Sequence, residues 1–406
     1  MNRRSFINYL AVAGVTTIIP GVNMHAFPAV KDMNTPQQTG DELDYHTLDH
    51  ITFTRIKLSY PRLVGRNSSR GIHGYGPDLT VCTLYTQQGA RGIGQLRGSE
   101  EDAERAFESL KGKKLTEVFN PVIGALNKDA IVFDIPLHDL AGVILALPVY
   151  KLLGREKPFV TKCYSGMIYM DDVDPLDNPS GLDKIMEECQ YDYQHGYRQL
   201  KLKIGRGKQW MPLEAGIKRD IEVTRLVHNY FPDVDILIDA NDGYAPRDFI
   251  RYMEGIEDVP VWWIEEPFRE TMNDFKILRE WLNNNRRRNT LLADGEAHPD
   301  LPLALEMGQN GFLDVYLDDI MGHGFTNWRA LMPVLKEHKL LASPHNWGDY
   351  LKTIYTMHLA AGMGNTCTIE GVTCFSNDID FGLHKLENGV LVPADTPGFG
   401  MTLLKD

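Results

Sequence analysis

The chain lacks the cysteine pattern of a disulfide framework or a zinc site. Its five cysteines are Cys82, Cys163, Cys189, Cys367 and Cys374, and no two of them stand in a C-x-x-C spacing. An odd number of scattered cysteines is typical of thiols buried in a core. We therefore expect the fold to depend on packing and not on covalent cross-links.

Positive charge is also in deficit. The chain has 42 Lys and Arg against 55 Asp and Glu, a net charge of −13. This balance argues against nucleic acid as a partner. It does not exclude a small anionic substrate, because the charge inside a site can oppose the overall sign. With 406 residues, 43% of them hydrophobic, the chain can form one large domain and a smaller one.

Long apolar runs are scarce, and the one near the N-terminus follows a pair of arginines. Arg3 and Arg4 precede an uncharged, mostly apolar run over residues 8–22. This pattern is typical of a twin-arginine export signal, and the run is short for a membrane span. We predict that residues 1–44 are an export signal and linker, that the protein is periplasmic, and that it has no stable membrane partner after export. If the segment is instead a disordered or amphipathic arm, we expect the protein to be cytoplasmic.

Residues 45–158 have the pattern of an α+β domain. Alternating residues over 45–65 and the run 79–85 predict strands. Ser99, followed by acidic residues, has the pattern of a helix start. Apolar spacing predicts one long helix from Asp129 to Leu153, in which Pro136 should cause a kink or a break.

Beyond residue 158 short apolar strands alternate with longer helical stretches. We predict eight strands, at Val160–Ser165, Gln199–Ile204, Asp235–Ala240, Val261–Glu265, Thr290–Gly295, Asp314–Leu317, Leu340–Ser343 and Cys367–Gly371. Each interval is long enough for the crossover helix that parallel strands require. The pattern favours a closed (β/α) barrel over residues 159–375, with an open doubly wound sheet as the alternative. Residues 376–406 form a loop-rich C-terminal segment.

Charged side chains lie at or directly after the C-terminal ends of most of these strands. In chain order they are Lys201 and Lys203, Asp239, Glu265 and Glu266, Asp294 and Glu296, Asp318, His345 and Glu370. The C-terminal ends of the strands of a (β/α) barrel meet at one mouth, where such enzymes carry their chemistry. Carboxylates at four consecutive strand ends, flanked by lysines and a histidine, therefore indicate an active site.

Crowded carboxylates repel one another unless a cation lies among them. Oxygen ligands from a few side chains suit Mg²⁺. Adjacent strands supply Asp239, Glu265 and Glu296. Side chains alternate along a strand, so only one of Glu265 and Glu266 can be a ligand, whereas Asp294 and Glu296 share a face and leave the third ligand open.

The same mouth supplies candidate bases. Lys201 and Lys203 lie on one face of their strand, where each would lower the pKa of the other and one could act as a base near neutral pH. Asp318 and His345 follow adjacent strands, so the carboxylate could fix the imidazole as a second base across the barrel. Two opposed bases beside a metal are suited to removing a proton α to a carboxylate.

Taken together, these motifs resemble the enolase superfamily, and specifically its mandelate racemase subgroup, over most of residues 45–404. The matching residues are Lys201-Leu202-Lys203, Asp239-Ala240-Asn241, Glu265-Glu266-Pro267, Gly295-Glu296, Asp318 ahead of Gly322-His323-Gly324, His345 and Glu370. Here His323 replaces a common glycine. The resemblance implies a barrel of the enolase type with a capping domain made from 45–158 and 376–406. It also implies a Mg²⁺ cofactor and a homo-oligomer.

The resemblance also assigns roles. It makes Asp239, Glu265 and Glu296 the metal ligands, and Lys203 a base tuned by Lys201. Asp318 supports His345, while Glu370 binds the substrate carboxylate and Asn241 belongs to the substrate site. The loop Gly65–Asp78, which we call the capping loop, closes over the mouth in such enzymes. Its candidate substrate contacts are Arg66, His73 and Tyr75.

The expected reaction is therefore dehydration of an acid sugar. A base removes the proton α to the carboxylate, and the β-hydroxyl leaves from the resulting enediolate. The same first step serves a racemase, an epimerase or a lactone cycloisomerase, which are the alternatives. A third alternative is an exported, non-catalytic binding protein for acid sugars. In each case the partner is a small carboxylate.

Overall fold

The computed structural model describes residues 36–405, with side chains from residue 40 onward. The predicted export signal within residues 1–35 lies outside the described residues. Over the range 36–405, no helix is long and apolar enough to cross a membrane.

The N-terminal part of the described chain is a three-stranded antiparallel sheet packed against helices. Its elements are α1 (Pro36–Tyr45), β1 (Leu48–Lys57), β2 (Asp78–Thr86), β3 (Arg91–Gln95), α2 (Glu100–Glu108), β4 (Phe119–Asn120), β5 (Gly124–Ala125), α3 (Asp134–Ile144) and α4 (Val149–Leu152). The sheet order is β1-β2-β3. Gly92 in β3 allows α3 to pack closely, because a Cβ there would lie 2.4 Å from the backbone nitrogen of Leu140.

Two expectations for this domain are corrected. The predicted linker up to residue 44 includes most of α1, whose Leu43 is buried in the core. The long helix predicted from Asp129 to Leu153 is instead a 3₁₀ turn followed by α3 and α4. Pro136 lies in the first turn of α3, where no intrahelical hydrogen bond is lost, and Pro148 is the N-cap of α4.

The larger domain is a closed barrel of eight parallel strands. They are β6 (Thr161–Ile168), β7 (Gln199–Lys203), β8 (Asp235–Asp239), β9 (Val261–Glu265), β10 (Leu291–Asp294), β11 (Val315–Tyr316), β12 (Leu341–Ala342) and β13 (Thr368–Gly371). Hydrogen bonds join them in chain order from β6 to β12, and β13 pairs with β6. A bridge between Ala342 and Thr366 connects the last two strands. The prediction of a closed barrel is confirmed, and the open sheet is excluded.

Helices surround this barrel. They are α5 (Leu182–His195), α6 (Leu213–Tyr230), α7 (Pro246–Gly255), α8 (Met272–Asn284), α9 (Leu301–Asn310), α10 (Ile320–His323), α11 (Phe325–Glu337) and α12 (Tyr350–Met363). One set of strand side chains packs within the barrel as a separate cluster: Tyr164, Leu237, Trp263, Ala293, Val315 and Leu317. Side chains alternate along a strand, so this cluster fixes which later residues point into the mouth.

The C-terminal segment returns to both domains through β14 (Ile379–Asp380), β15 (Lys385–Glu387), β16 (Val390–Val392) and β17 (Thr402–Leu403). Strand β16 pairs antiparallel with the start of β6. The backbone nitrogen of Phe399 donates a hydrogen bond of 2.7 Å to Asp139 in α3. The segment therefore connects the barrel to the N-terminal domain.

Candidate active site

Both lysines of β7 point into the barrel mouth and are buried, with exposed fractions of 2% for Lys201 and 5% for Lys203. Lys201 Nζ lies 2.7 Å from Glu265 Oε1 and 3.1 Å from Glu370 Oε1. Lys203 Nζ lies 2.5 Å from Asp239 Oδ2. Each ammonium group is thus held by carboxylates, as the buried position of a charge requires.

Asp239, Glu265 and Glu296 form what we call the carboxylate cluster. Each offers one oxygen, and the three oxygens lie within 4.8 Å of one another. In residues 36–405 this is the only such group of three potential ligands. The second oxygen of Glu296 is buried and has no hydrogen-bond partner within that range. Three carboxylates with an unsatisfied oxygen fit a hard divalent cation such as Mg²⁺.

The two neighbouring acids lie outside this cluster. Oε1 of Glu266 instead accepts a hydrogen bond of 2.7 Å from the backbone of Ala297. Asp294 follows the inward-facing Ala293 and so points outward, away from the cluster. Gly295 has a φ of +114°, and this turn interrupts the strand alternation. The expectation that Asp294 and Glu296 share a face is therefore wrong, and Glu296 alone joins the cluster.

His345 faces the carboxylate cluster from another strand end. Its Nε2 lies 3.3 Å from Glu296 Oε1 and 3.9 Å from Glu370 Oε2. Its Nδ1 lies 3.1 Å from Oδ2 of Asp319. The imidazole therefore has one nitrogen fixed by a carboxylate and the other directed toward the site.

The predicted contact between Asp318 and His345 is wrong. Asp318 instead lies 3.0 Å from Nδ1 of His323. The reason is strand alternation, since Leu317 packs inside the barrel and the next inward-facing residue is Asp319. The motif that placed Asp318 ahead of Gly322-His323-Gly324 does not determine which residue faces inward.

Sequence reasoning also missed Lys352, which contacts the same carboxylate. Its Nζ lies 3.3 Å from Asp319 Oδ2 and 3.3 Å from the backbone oxygen of Trp347. Asp349 caps α12 and places Lys352 in the first turn of that helix. The cap was a sequence signal for the start of α12, but the contact with Asp319 depends on the tertiary fold.

The charges of the site shift its pKa values in opposing directions. Burial has the largest single effect and lowers the pKa of Lys203, but the carboxylates of Asp239, Glu296 and Glu265 together raise the net pKa above the ordinary value. Lys201 lowers the pKa of Lys203 as expected, yet this effect is smaller than that of Asp239, so the expectation of a lysine pKa lowered toward neutrality is not met. The pKa of Lys201 also ends well above its ordinary value, since Glu265 and Glu370 outweigh its burial.

The second base shows the same competition. Burial lowers the pKa of His345, whereas Glu296 and the contact with Asp319 raise it to a net value above the ordinary one. Burial raises the pKa of Asp319, but His345 and Lys352 lower it below the ordinary value. Asp319 is therefore ionised and can fix the Nδ1–H tautomer of the imidazole.

The capping loop contacts the barrel mouth, where Ser68 donates a hydrogen bond of 2.6 Å to the backbone oxygen of Ala240 after β8. Its three predicted substrate contacts have different surroundings. Arg66 is buried in an ion pair with Asp174, with Nε 2.9 Å from Oδ2, and its guanidinium lies 4.4 Å from the ring centre of Trp210. Tyr75 is 68% exposed, and its hydroxyl makes no hydrogen bond among the described residues. The structure therefore gives Arg66 a structural partner and leaves Tyr75 at the surface.

His73 of the capping loop does reach the site. Its ring centre lies 4.7 Å from that of Tyr169 and 4.8 Å from that of Trp347. The ring centre of Tyr169 is 5.2 Å from Lys203 Nζ. Tyr169 and Trp347 were not predicted from sequence, where aromatic residues after β6 and β12 are not distinguishable from core residues.

Asn241 also lies in the site, as predicted. Its Oδ1 accepts a hydrogen bond of 3.0 Å from Lys203 Nζ, and its backbone has a φ of +43°. Asparagine tolerates this left-handed conformation better than most residues.

Comparison with known proteins identifies the family. The family model described as Enolase C-terminal domain-like matches residues 184–406. The chain belongs to this family. A structure of galacturonate dehydratase from Geobacillus sp., complexed with D-galacturonate and 5-keto-4-deoxy-D-galacturonate, is similar with a TM-score of 0.81 and 30% identity. The match covers 89% of this chain and 95% of that one.

Other relatives of this enolase-family chain are more distant in sequence. Arabinonate dehydratase of Saccharolobus solfataricus is 26% identical over 279 residues, which are 66% of this chain and 68% of that protein. Hydrophobic dipeptide epimerase of Enterococcus faecalis is 25% identical over 285 residues, which are 66% and 72% of the two chains. The relatives are lyases and isomerases, so the chain is an enzyme of the enolase superfamily, and the prediction of a mandelate racemase-like barrel enzyme is confirmed.

Proposed function

We propose that the protein is a Mg²⁺-dependent dehydratase of a sugar acid. It removes the proton α to the carboxylate of its substrate and eliminates the β-hydroxyl. One observation carries the proposal: Lys203 reaches the carboxylate cluster at Asp239, while His345 reaches the same cluster at Glu296. Two proton-transfer groups thus converge on one cluster. The 30% identity with a galacturonate dehydratase supports a sugar acid as the substrate.

Asp239, Glu265 and Glu296 would hold the metal. When bound, Mg²⁺ supplies a Lewis acid for the substrate carboxylate and positive charge that offsets the carboxylates now raising the pKa of Lys203. These ligands lie at the ends of three adjacent strands, β8, β9 and β10, whose parallel pairing fixes their spacing. The rigid strands thereby place the substrate carboxylate between the two bases.

The first step is proton removal by Lys203 or by His345, according to the configuration of the α-carbon. Lys201 is held between Glu265 and Glu370, and its ammonium charge stabilises the enediolate oxygens. Electrons released from the broken C–H bond form the enediolate. Its collapse expels the β-hydroxyl and leaves an enol, which becomes a 2-keto acid.

The departing hydroxyl needs a proton, so that it leaves as water. Asp319 fixes the proton of His345 on Nδ1, so Nε2 is the atom that exchanges protons with the substrate. His345 in its protonated form can donate from Nε2 when Lys203 is the base, and the roles exchange for the opposite configuration. His73, Tyr169 and Trp347 lie over this region and limit the access of water.

The proposal is tested by incubating sugar acids with the enzyme and Mg²⁺ in D₂O. D-Galacturonate is the first substrate, followed by a panel of uronates and aldonates. We expect exchange of the α-proton, seen by NMR, together with a 2-keto acid detected by its semicarbazone. Absence of α-proton exchange with every acid of the panel would show that the proposed chemistry is wrong.

An epimerase, racemase or lactone cycloisomerase is the second candidate. The same pair of opposed bases favours it, since Lys203 and His345 could remove and return a proton on opposite sides of one carbon. The chain is also 25% identical to the hydrophobic dipeptide epimerase of E. faecalis. An epimerase would exchange the α-proton and change the optical rotation without forming a keto acid, so polarimetry in the same assay separates the two candidates.

We also propose that the enzyme is exported through its paired Arg3 and Arg4 and works as a homo-oligomer. Replacement of both arginines by lysine should keep the protein in the cytoplasm, as fractionation of the expressing cells would show. Light scattering of the purified protein tests the oligomer. Cytoplasmic retention of the unaltered chain, or a monomer at working concentration, would contradict the respective proposal.

A further inference from the structure

Arg206 lies directly after the base strand and is fully buried, with an exposed fraction of 0%. Its guanidinium contacts two carboxylates, with Nη2 at 2.5 Å from Asp172 Oδ1 and Nη1 at 2.6 Å from Asp220 Oδ1. Nη1 also donates a hydrogen bond of 3.0 Å to the backbone oxygen of Lys203. The guanidinium is thus fixed on three sides and has no contact with the carboxylate cluster.

The contacts of Arg206 and Asp220 hold the backbone at the end of β7 on both sides of the turn at Gly205. Gly205 has a φ of +98°, and its nitrogen donates a hydrogen bond of 2.9 Å to Asp220. A guanidinium presents several donors in a rigid plane, whereas an ammonium presents a single nitrogen. Only arginine can therefore bind Asp172, Asp220 and the oxygen of Lys203 together.

Asp172 belongs to the short segment 171–174, which also forms hydrogen bonds with the capping loop. The preceding residue, Asp171, accepts a hydrogen bond of 3.1 Å from the nitrogen of Gly65. Asp174 forms the buried ion pair with Arg66. One segment, 171–174, therefore connects the capping loop to the guanidinium behind the base.

From this geometry we infer that Arg206 is a positioning residue for Lys203. We also infer that Asp172 connects Arg206 to the segment 171–174, which contacts the capping loop. The inference rests on the proposed function, in which Lys203 serves one face of the substrate and His345 the other. Of the two proposed bases, Arg206 contacts only Lys203, through its backbone oxygen, so loss of this geometry should impair one face of the reaction. The side chain of Asp174 pairs with Arg66 of the capping loop, so its loss should impair substrate binding for both faces.

The test measures α-proton exchange in D₂O on two uronates that differ only at the α-carbon, D-galacturonate and L-altruronate. The variant K203A first identifies which epimer depends on Lys203. In R206K and D172N we expect kcat for that epimer to fall by about 10²-fold, because a base displaced by about 1 Å loses its reacting geometry. The other epimer, served by His345, should change by less than about threefold. In D174N the KM should rise for both epimers together.

A matched control separates positioning from a general loss of stability. Arg287 is also buried, but it donates to the backbone oxygens of Ile256 and Val259 far from the mouth. R287K should lower the melting temperature without changing the ratio of the two exchange rates. Equal loss of both epimers in R206K, or an unchanged ratio in both R206K and D172N, would overturn the inference.

Hydrogen exchange of the protein itself provides a readout that needs no substrate. The nitrogen of Ile204 donates to the backbone of Asp239 across 2.9 Å, at the end of the base strand. In R206K the peptide that contains residues 203–205 should exchange faster than in R287K at equal stability. If the unaltered enzyme exchanges the α-proton of no acid in the panel, the proposed function fails, while unchanged protection of this peptide would reject the positioning role independently.

Discussion

Lys352 donates a hydrogen bond of 3.3 Å to Oδ2 of Asp319. The same oxygen lies 3.1 Å from Nδ1 of His345, so one carboxylate atom contacts both the ammonium of Lys352 and the imidazole of His345. The two contacts lower the pKa of Asp319, although burial alone would raise it. An ionised Asp319 sets the tautomer of His345 and with it the atom that faces the substrate.

We therefore predict that D319N disables proton transfer by His345. The amide can present a donor to Nδ1 and so favour the wrong tautomer, which should reduce kcat on the His345 face by about 10²- to 10⁴-fold. D318N is the matched control, because Asp318 contacts His323 and not His345. Its kcat should stay within about threefold of the unaltered enzyme. Exchange kinetics that rank D318N below D319N would contradict the assignment.

The barrel and most of its site could be predicted because each inward side chain follows a short apolar strand at a regular interval. The alternation itself misled only where a turn intervenes. After β10, the turn at Gly295 changes the direction of Glu296. Strand β11 ends before Asp319, so the residues that face the barrel interior there are identified from Leu317 and not from the glycine motif that follows. Contacts such as that of Lys352 arise from packing between distant elements, which no local pattern encodes.

Removal of either base should stop dehydration without removing the metal site. In K203A and H345N the carboxylate cluster keeps its three oxygens, so we expect loss of turnover by at least about 10³-fold but retention of Mg²⁺ binding. Calorimetric titration with Mg²⁺ and the 2-keto acid assay measure the two properties. If both variants turned over normally, the two-base assignment would be wrong.

The metal ligands are tested through stability as well as activity. A ligand that binds only the folded state stabilises it by about 2.7 kcal/mol at 100 times its dissociation constant. Mg²⁺ should therefore raise the melting temperature of the unaltered protein and of D294N, because Asp294 points away from the cluster. E296Q should lose this increase together with activity. Retention of the Mg²⁺ effect in E296Q and its loss in D294N would reverse the choice of the third ligand.

The capping loop contains one residue with a structural role among its predicted substrate contacts. Removal of Arg66 leaves Asp174 as an uncompensated buried charge, a change that typically costs about 3–5 kcal/mol. We expect R66M to lower the free energy of unfolding by that order and to raise KM. Y75F should change neither, since Tyr75 is exposed. Urea unfolding and steady-state kinetics provide the measurements, and a Y75F variant with a raised KM would restore Tyr75 as a substrate contact.

The final prediction concerns the stability of the folded protein in acid and depends on His384. Its ring forms hydrogen bonds with two backbone groups of the C-terminal segment. Its Nε2 donates to the backbone oxygen of Phe399 at 2.9 Å, while Nδ1 accepts from Ala394 at 3.0 Å. The ring must therefore be neutral. Burial lowers its pKa to about 4, although the hydrogen bond to Phe399 opposes the shift.

The unfolded chain binds a proton at His384 near its ordinary pKa of about 6.5, whereas the folded chain resists protonation until about pH 4. Stability from this residue is therefore complete above pH 6.5 and is lost as the pH falls toward 4, by up to about 3 kcal/mol. Gln cannot titrate, so H384Q should show a smaller decrease in melting temperature between pH 7 and pH 5 than the unaltered protein. The exposed His50 is the control, and H50Q should keep the full decrease. An equal decrease in H384Q and the unaltered protein would show that protonation of His384 does not limit the acid stability of the C-terminal segment.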